Sequence, residues 1–160
     1  MRFFLPLNIV LFLALMTFSQ STAPSVIDEF GSVNCEDYLA RMDSVIIQAA
    51  NNPNAKVFVL VYEGKIRRYI YDRQGRSRTE VVYSEFGLAK AKIRSMKKYL
   101  SVRGYGSRNF VFVRAGFRED FTVEIWLVPD GADKPVPRPT FTKIRYRKGK
   151  PSGFCLGCCG

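Results

Sequence analysis

Apolar residues recur at helical spacing in two stretches of the chain. In the first, Leu39, Met42, Ile46 and Ala49 lie on one stripe, which ends at Asn51-Asn52-Pro53. Asn34 precedes this stripe as an N-cap. The second stripe alternates steps of four and three residues through Val82, Phe86, Ala89, Ile93, Met96 and Leu100. The pattern predicts two helices, the second of which continues through Gly87.

Four other stretches have the pattern of strands. Val57 to Tyr62 is apolar on both faces, which is typical of a central strand, and Phe110 to Val113 is similar. From Phe121 to Val128 apolar and polar residues alternate, as in an antiparallel strand with two unlike faces. The short apolar stretch from Ser25 to Gly31 fits an edge strand.

These segments follow one another in the order β-α-β-α-β-β. We therefore predict an α+β fold, a two-layer sandwich in which two helices pack on one face of a mixed sheet of about four strands. Residues 116–120 are expected to form a tight connection before the last strand. The domain would span residues 24–129, and the Pro-rich, basic and Cys-rich residues 130–160 would form a mostly extended or disordered tail.

The first 23 residues have the composition of a secretory signal peptide. A positive start is followed by an apolar run and then by small polar residues. We therefore expect an exported protein of the periplasm or cell envelope. The formal net charge of +11 favours an anionic partner such as a wall polymer or lipid, and export argues against nucleic acid as that partner.

Positive charge is concentrated between the central strand and the second helix. Arginines surround Tyr69-Ile70-Tyr71 there, which predicts a loop or a short protruding hairpin that turns near Gln74-Gly75. The second helix carries further lysines and an arginine on its polar face. The expected basic surface consists of Lys65, Arg67, Arg68, Lys90 and Arg94.

Short segments of the chain resemble the OmpA-like periplasmic domain that associates with peptidoglycan. They are Asn51 to Val57 leading into the central strand, Tyr62 at its end, Leu88 to Leu100, and Val123-Glu124-Ile125. Together they cover residues 25–129.

The resemblance implies a site for the diaminopimelate of the peptide stem. The family uses an aspartate after the central strand and an arginine on the second helix, and these positions fall on Gly64 and Lys92. A glycine supplies no charge, and a lysine lacks the forked donor geometry of arginine. The candidate ligand-binding residues are therefore Tyr62, Glu63 and Lys92, with Glu63 substituting by a shift of register. The alternative is that Gly64 only permits a turn at the strand end.

Four cysteines, Cys35, Cys155, Cys158 and Cys159, are candidates for disulfides in an exported chain. One disulfide is expected to fasten the tail to Cys35 or to close within the tail. The remaining thiols could then link the protein to a partner or to a second copy. A redox or metal role is less favoured because the chain has no histidine and no second Cys pair at matching spacing.

The sequence does not favour an enzyme. No histidine is present as a base, and the spacing of the carboxylates singles out no acid and base pair. We predict no catalytic residues, no metal and no cofactor. The expected function is a non-enzymatic envelope module that binds peptidoglycan or another anionic component. The alternative is a structural protein that acts through its cysteine tail.

Overall fold

The computed structural model describes residues 23–106 and 109–156. The predicted signal peptide, up to residue 22, and the cysteines Cys158 and Cys159 lie outside the described residues. Among the described residues, none of the helices has the length and hydropathy needed to span a bilayer.

In residues 23–106 and 109–156, two helices and five strands make up an α+β fold, as predicted. The helices are α1 (Cys35–Asn51) and α2 (Leu88–Val102). The strands are β1 (Ser25–Phe30), β2 (Ala55–Tyr71), β3 (Ser77–Val82), β4 (Phe110–Asp120) and β5 (Thr122–Pro129).

Strand β2 is the centre of a mixed sheet. Its first half pairs in parallel with β4 and antiparallel with β5, which in turn pairs with β1 at the edge. Its second half, from Ile66 to Tyr71, pairs only with β3. The sheet thus has five strands in the described residues, against about four predicted. The fifth comes from the basic stretch, which is a two-stranded hairpin, one of the two forms expected for it.

The main core lies between the helices and one face of the sheet. Val57, Val59 and Val61 pack there against helical residues that include Tyr38 and Met96. A smaller cluster on the opposite face contains Phe58, Leu60 and Tyr62. Burial on both faces is the reason that this part of β2 has a continuous apolar sequence.

Local signals define α1 well. Asn34 caps the helix as predicted, because its Oδ1 accepts a hydrogen bond of 2.8 Å from the backbone N–H of Asp37. The buried stripe is Tyr38, Met42, Val45 and Ala49. Leu39 and Ile46 are only partly buried, so the stripe is rotated from the predicted one.

Helix α2 begins later than predicted. Gly87 has a φ of 82° and precedes the first helical residue, so the helix does not pass through it. Val82 belongs to β3, and the side chain of Phe86 is 77% exposed instead of buried. The left-handed backbone at Gly87 breaks the helical continuity on which the longer stripe depended.

The chain crosses over the central strand between β4 and β5. These two strands flank opposite edges of β2, yet only Phe121 separates them. A Cβ at Gly64 would lie 2.4 Å from the backbone carbon of Asp120, so the crossing requires a glycine there. Two predictions are therefore wrong: Gly64 lies inside a strand instead of at a turn, and residues 116–120 extend β4 instead of forming a tight connection.

Candidate functional site

Tyr62 lies on the opposite face of the sheet from the helices. Its ring is buried, and the guanidinium of Arg118 lies 3.7 Å from the ring centroid. The hydroxyl accepts a hydrogen bond from the backbone N–H of Arg138 at 3.0 Å and donates to Oε2 of Glu124 at 3.4 Å. Burial raises the pKa of Tyr62. Tyr62 is thus part of a buried network that Glu63 and Lys92 do not share.

Arg118 and Glu124 complete this network. Their ion pair was not predicted from the sequence. Nη2 of Arg118 lies 2.5 Å from Oε1 of Glu124, and the indole of Trp126 donates to the other oxygen at 3.2 Å. Glu124 is the only charged residue in the sequence of β5, and this was the available signal, because a buried carboxylate needs a partner. The network fixes the outer face of the sheet.

Glu63 caps the start of α2. Its Oε1 accepts a hydrogen bond of 2.9 Å from the backbone N–H of Ala89, and its Oε2 accepts one of 2.5 Å from the hydroxyl of Tyr146. The carboxylate is only 7% exposed. It supplies the capping acceptor that Gly87 lacks. Since both oxygens already have partners within the chain, Glu63 has a structural role in this conformation.

Lys92 is held by the tail. Its Nζ donates to the carbonyl of Gly153 at 3.1 Å and lies 4.2 Å from the centroid of the Phe154 ring. Burial lowers the pKa of Lys92 to about 8, although the nearby carboxylate of Glu85 acts in the opposite direction. The position that the family resemblance assigns to ligand binding is therefore covered by the chain itself.

The lowered pKa of Lys92 gives a testable pH dependence of stability. Because the unfolded lysine keeps its usual pKa near 10.5, the unfolded state binds more protons between pH 8 and 10. The free energy of unfolding is therefore expected to rise with pH in this window, by on the order of 1–2 kcal/mol. Lys92→Met should flatten the rise, as followed by urea unfolding. A rise of equal size in the variant would contradict this assignment.

The tail is extended and packs on the domain through residue 156. The structure pairs Cys155 with Cys35 at the start of α1, across a sequence separation of 120 residues. Next to this disulfide, the ring of Phe154 stacks on Tyr38 at a centroid distance of 4.2 Å. The backbone N–H of Phe154 also donates to Oγ of Ser95 at 2.8 Å. The end of the described tail thus covers the helical face, whereas Arg138, near its start, bonds to Tyr62 on the opposite face.

The predicted basic surface is divided among different elements. Lys65 forms an ion pair of 3.3 Å with Glu119. Lys90 and Arg94 are exposed on α2, whereas Arg67 and Arg68 are exposed at the base of the β2–β3 hairpin. We call the hairpin from Ile66 to Val82 the basic arm.

The turn of the basic arm is ordered by Asp72. One carboxylate oxygen accepts backbone hydrogen bonds from Gln74 and Arg76, each of 2.9 Å, and the other accepts one of 2.7 Å from the Arg76 side chain. These hydrogen bonds, above all those from Arg76, lower the pKa of Asp72. Gly75 has the positive φ of 77° that this turn needs.

In the described part of the chain, no three cysteine or acidic side chains come together in a way that could hold a metal ion. Comparison of the chain with protein-family models, with characterised proteins and with solved structures gives no match. The function must therefore be argued from the geometry of these residues.

Proposed function

We propose that the protein is a non-enzymatic, exported module that binds an anionic component of the cell envelope through its basic arm. The observation that carries this proposal is the composition and exposure of the arm. It contains five arginines, namely Arg67, Arg68, Arg73, Arg76 and Arg78, against the two carboxylates of Asp72 and Glu80. All seven of these residues are exposed.

Most of the charge on the arm is available to a partner. Arg76 is paired with Asp72, but Arg67, Arg73 and Arg78 form no side-chain hydrogen bond or ion pair with any described residue. An isolated two-stranded hairpin has little stability of its own in water, so it gains from a surface on which to lie. A cluster of exposed arginines attracts phosphate or carboxylate groups over about 10 Å.

The arm supports this function better than the site suggested by the OmpA-like resemblance. Glu63 and Lys92 are bonded to Tyr146 and Gly153 of the tail, and Tyr62 lies on the other face of the sheet. We therefore propose that peptidoglycan or a related anionic wall polymer is bound electrostatically at the arm, without use of these three residues.

Co-sedimentation with purified peptidoglycan tests this proposal. The double variant Arg73→Ala/Arg78→Ala is expected to bind roughly tenfold or more weakly at low salt, since each surface cation contributes about 1 kcal/mol to binding an anionic surface. Binding by the unaltered protein should fall as salt is raised to physiological strength.

The matched control is Lys98→Ala/Lys134→Ala, which removes the same charge from exposed positions outside the arm. It should retain nearly full binding. Equal losses in the two variants would show that net charge, and not the arm, is responsible. Binding that does not respond to salt would contradict an electrostatic mode, and a preference for anionic lipid vesicles would identify lipid as the partner.

A further inference from the structure

A cavity of about 220 Å³ lies where the root of the basic arm, the start of α2 and the tail meet. Its volume is several times the share of liquid occupied by one water molecule, about 30 Å³. Among the described residues, five cationic ones line it: Arg67, Arg68, Lys92, Arg147 and Lys150. Glu85 is the only acidic residue among the described lining residues, which therefore carry a formal net charge of +4.

These cations retain hydrogen-bond donors that the described residues do not use. The side chains of Arg67, Arg68 and Lys150 make no hydrogen bond or ion pair with described residues. Lys92 uses only one of its three donors, on Gly153. The cavity is therefore built to accept the oxygens of an anion.

Glu85, in contrast to the cations, needs a hydrogen-bond donor. It is only 6% exposed, and its Oε1 is paired with the guanidinium of Arg147. Its Oε2 is buried and has no partner among the described residues. A ligand in this cavity that reaches Oε2 should therefore offer it one hydrogen-bond donor, as well as acceptor oxygens to the cations, because a buried acceptor left unpaired is unfavourable.

We propose that this cavity binds a protonated phosphate group, either inorganic phosphate or a phosphate monoester. Its unprotonated oxygens accept hydrogen bonds from the cations, and its O–H group donates to Oε2 of Glu85. Sulfate has similar oxygens but carries no proton at neutral pH, so it leaves Glu85 unpaired. Phosphodiesters have no O–H group on the phosphate and therefore cannot donate to Oε2 of Glu85 either.

This inference rests on the proposed function in one respect. Arg67 and Arg68 belong both to the basic arm and to the cavity, so a phosphate group on the partner of the arm would reach the cavity. The cavity also requires the tail, which supplies Arg147 and Lys150.

Isothermal titration calorimetry on the purified protein at about pH 6, near the second pKa of phosphate monoesters, tests the inference. The probes are inorganic phosphate, glycerol 3-phosphate, dimethyl phosphate and sulfate. We expect phosphate to bind roughly tenfold to 100-fold more tightly than sulfate or the diester, the range expected when a charged acceptor is left unpaired. Glycerol 3-phosphate then distinguishes the two possible ligands. If it binds, the cavity accepts a phosphate monoester; if it does not bind, the ligand is inorganic phosphate. Equal affinity for phosphate and sulfate would overturn the proposal.

Variants locate the site. Glu85→Gln should remove most of the preference for phosphate over sulfate, because the amide can donate to sulfate. Lys150→Gln should weaken both anions by a similar factor, and the control Lys148→Gln, which changes an exposed neighbour outside the cavity, should bind phosphate normally. If Glu85→Gln fails to fold, the proposal is still tested by phosphate binding in Lys150→Gln and by the affinities of the unaltered protein for phosphate and sulfate. Unchanged phosphate binding in Lys150→Gln would overturn the site.

The arm variant separates this inference from the proposed function. Arg73→Ala/Arg78→Ala changes side chains that do not line the cavity, so it should keep phosphate binding while it loses wall binding. Loss of polymer binding without any phosphate binding in the unaltered protein would uphold the arm and reject the cavity. Phosphate binding without polymer binding would uphold the cavity and reject the arm.

Discussion

The double variant Cys35→Ser/Cys155→Ser is expected to lose about 3–5 kcal/mol of its free energy of unfolding. The disulfide closes a loop with a sequence separation of 120 residues, and the loss of conformational entropy that it imposes on the unfolded chain grows with loop length. Because small domains are stable by only about 5–15 kcal/mol, this loss is a large fraction of the total. Guanidinium unfolding followed by tyrosine and tryptophan fluorescence measures it.

The matched control is Cys158→Ser/Cys159→Ser, which makes the same chemical change and keeps the disulfide. It should unfold close to the unaltered protein. Limited proteolysis adds a local readout, since the tail held by Phe154 and Tyr146 should become cleavable in the Cys35→Ser/Cys155→Ser variant. Equal unfolding midpoints in the two double variants would contradict a stabilising disulfide.

The substitution Gly64→Ala is expected to destabilise the fold by about 3 kcal/mol or more. A Cβ there would lie 2.4 Å from the backbone carbon of Asp120 and 2.6 Å from the backbone nitrogen of Phe121. Backbone atoms cannot rotate aside as the end of a flexible side chain can, so the crossing of the chain over β2 must shift.

Urea unfolding gives the size of this effect, and hydrogen exchange locates it. The backbone N–H of Phe121 donates to the carbonyl of Lys65 at 2.8 Å and should lose protection in the Gly64→Ala variant. Gly106→Ala is the control, because nothing lies within 4 Å of a Cβ there and its φ is not positive. A Gly64→Ala protein as stable as this control would show that the crossing can shift freely.

The parts of the fold that local signals control could be predicted from the sequence. Asn34 caps α1 through a hydrogen bond only three residues away, and the apolar run of Val57 to Tyr62 marks the buried half of β2. Contacts between distant residues could not be predicted in this way. The close approach at Gly64 depends on Asp120. The disulfide between the tail and Cys35 was one of the two pairings expected from the sequence, and only the fold selects Cys155 as the partner.

The candidate site was predicted less well than the fold. Tyr62 and Glu63 are neighbours in sequence, and in a strand neighbours point to opposite faces. Once β2 was recognised as a strand, this alternation excluded a pocket that contains both side chains. The covering of Glu63 and Lys92 by Tyr146, Gly153 and Phe154 had no comparable signal, since residues 130–160 have no periodicity that indicates packing.

The position of β2 at the centre of the sheet has a consequence for the order of folding. Val57 pairs with Phe110 and Leu127, which follow it by 53 and 70 residues. During synthesis the edges of β2 therefore lack these partners until the residues of β4 and β5 have been made. Pairing between such distant segments is slow, because a long loop must close before any contact forms. The nascent chain is thus expected to stay unfolded until it is nearly complete, and the crossing over Gly64 is expected to be among the last contacts to form.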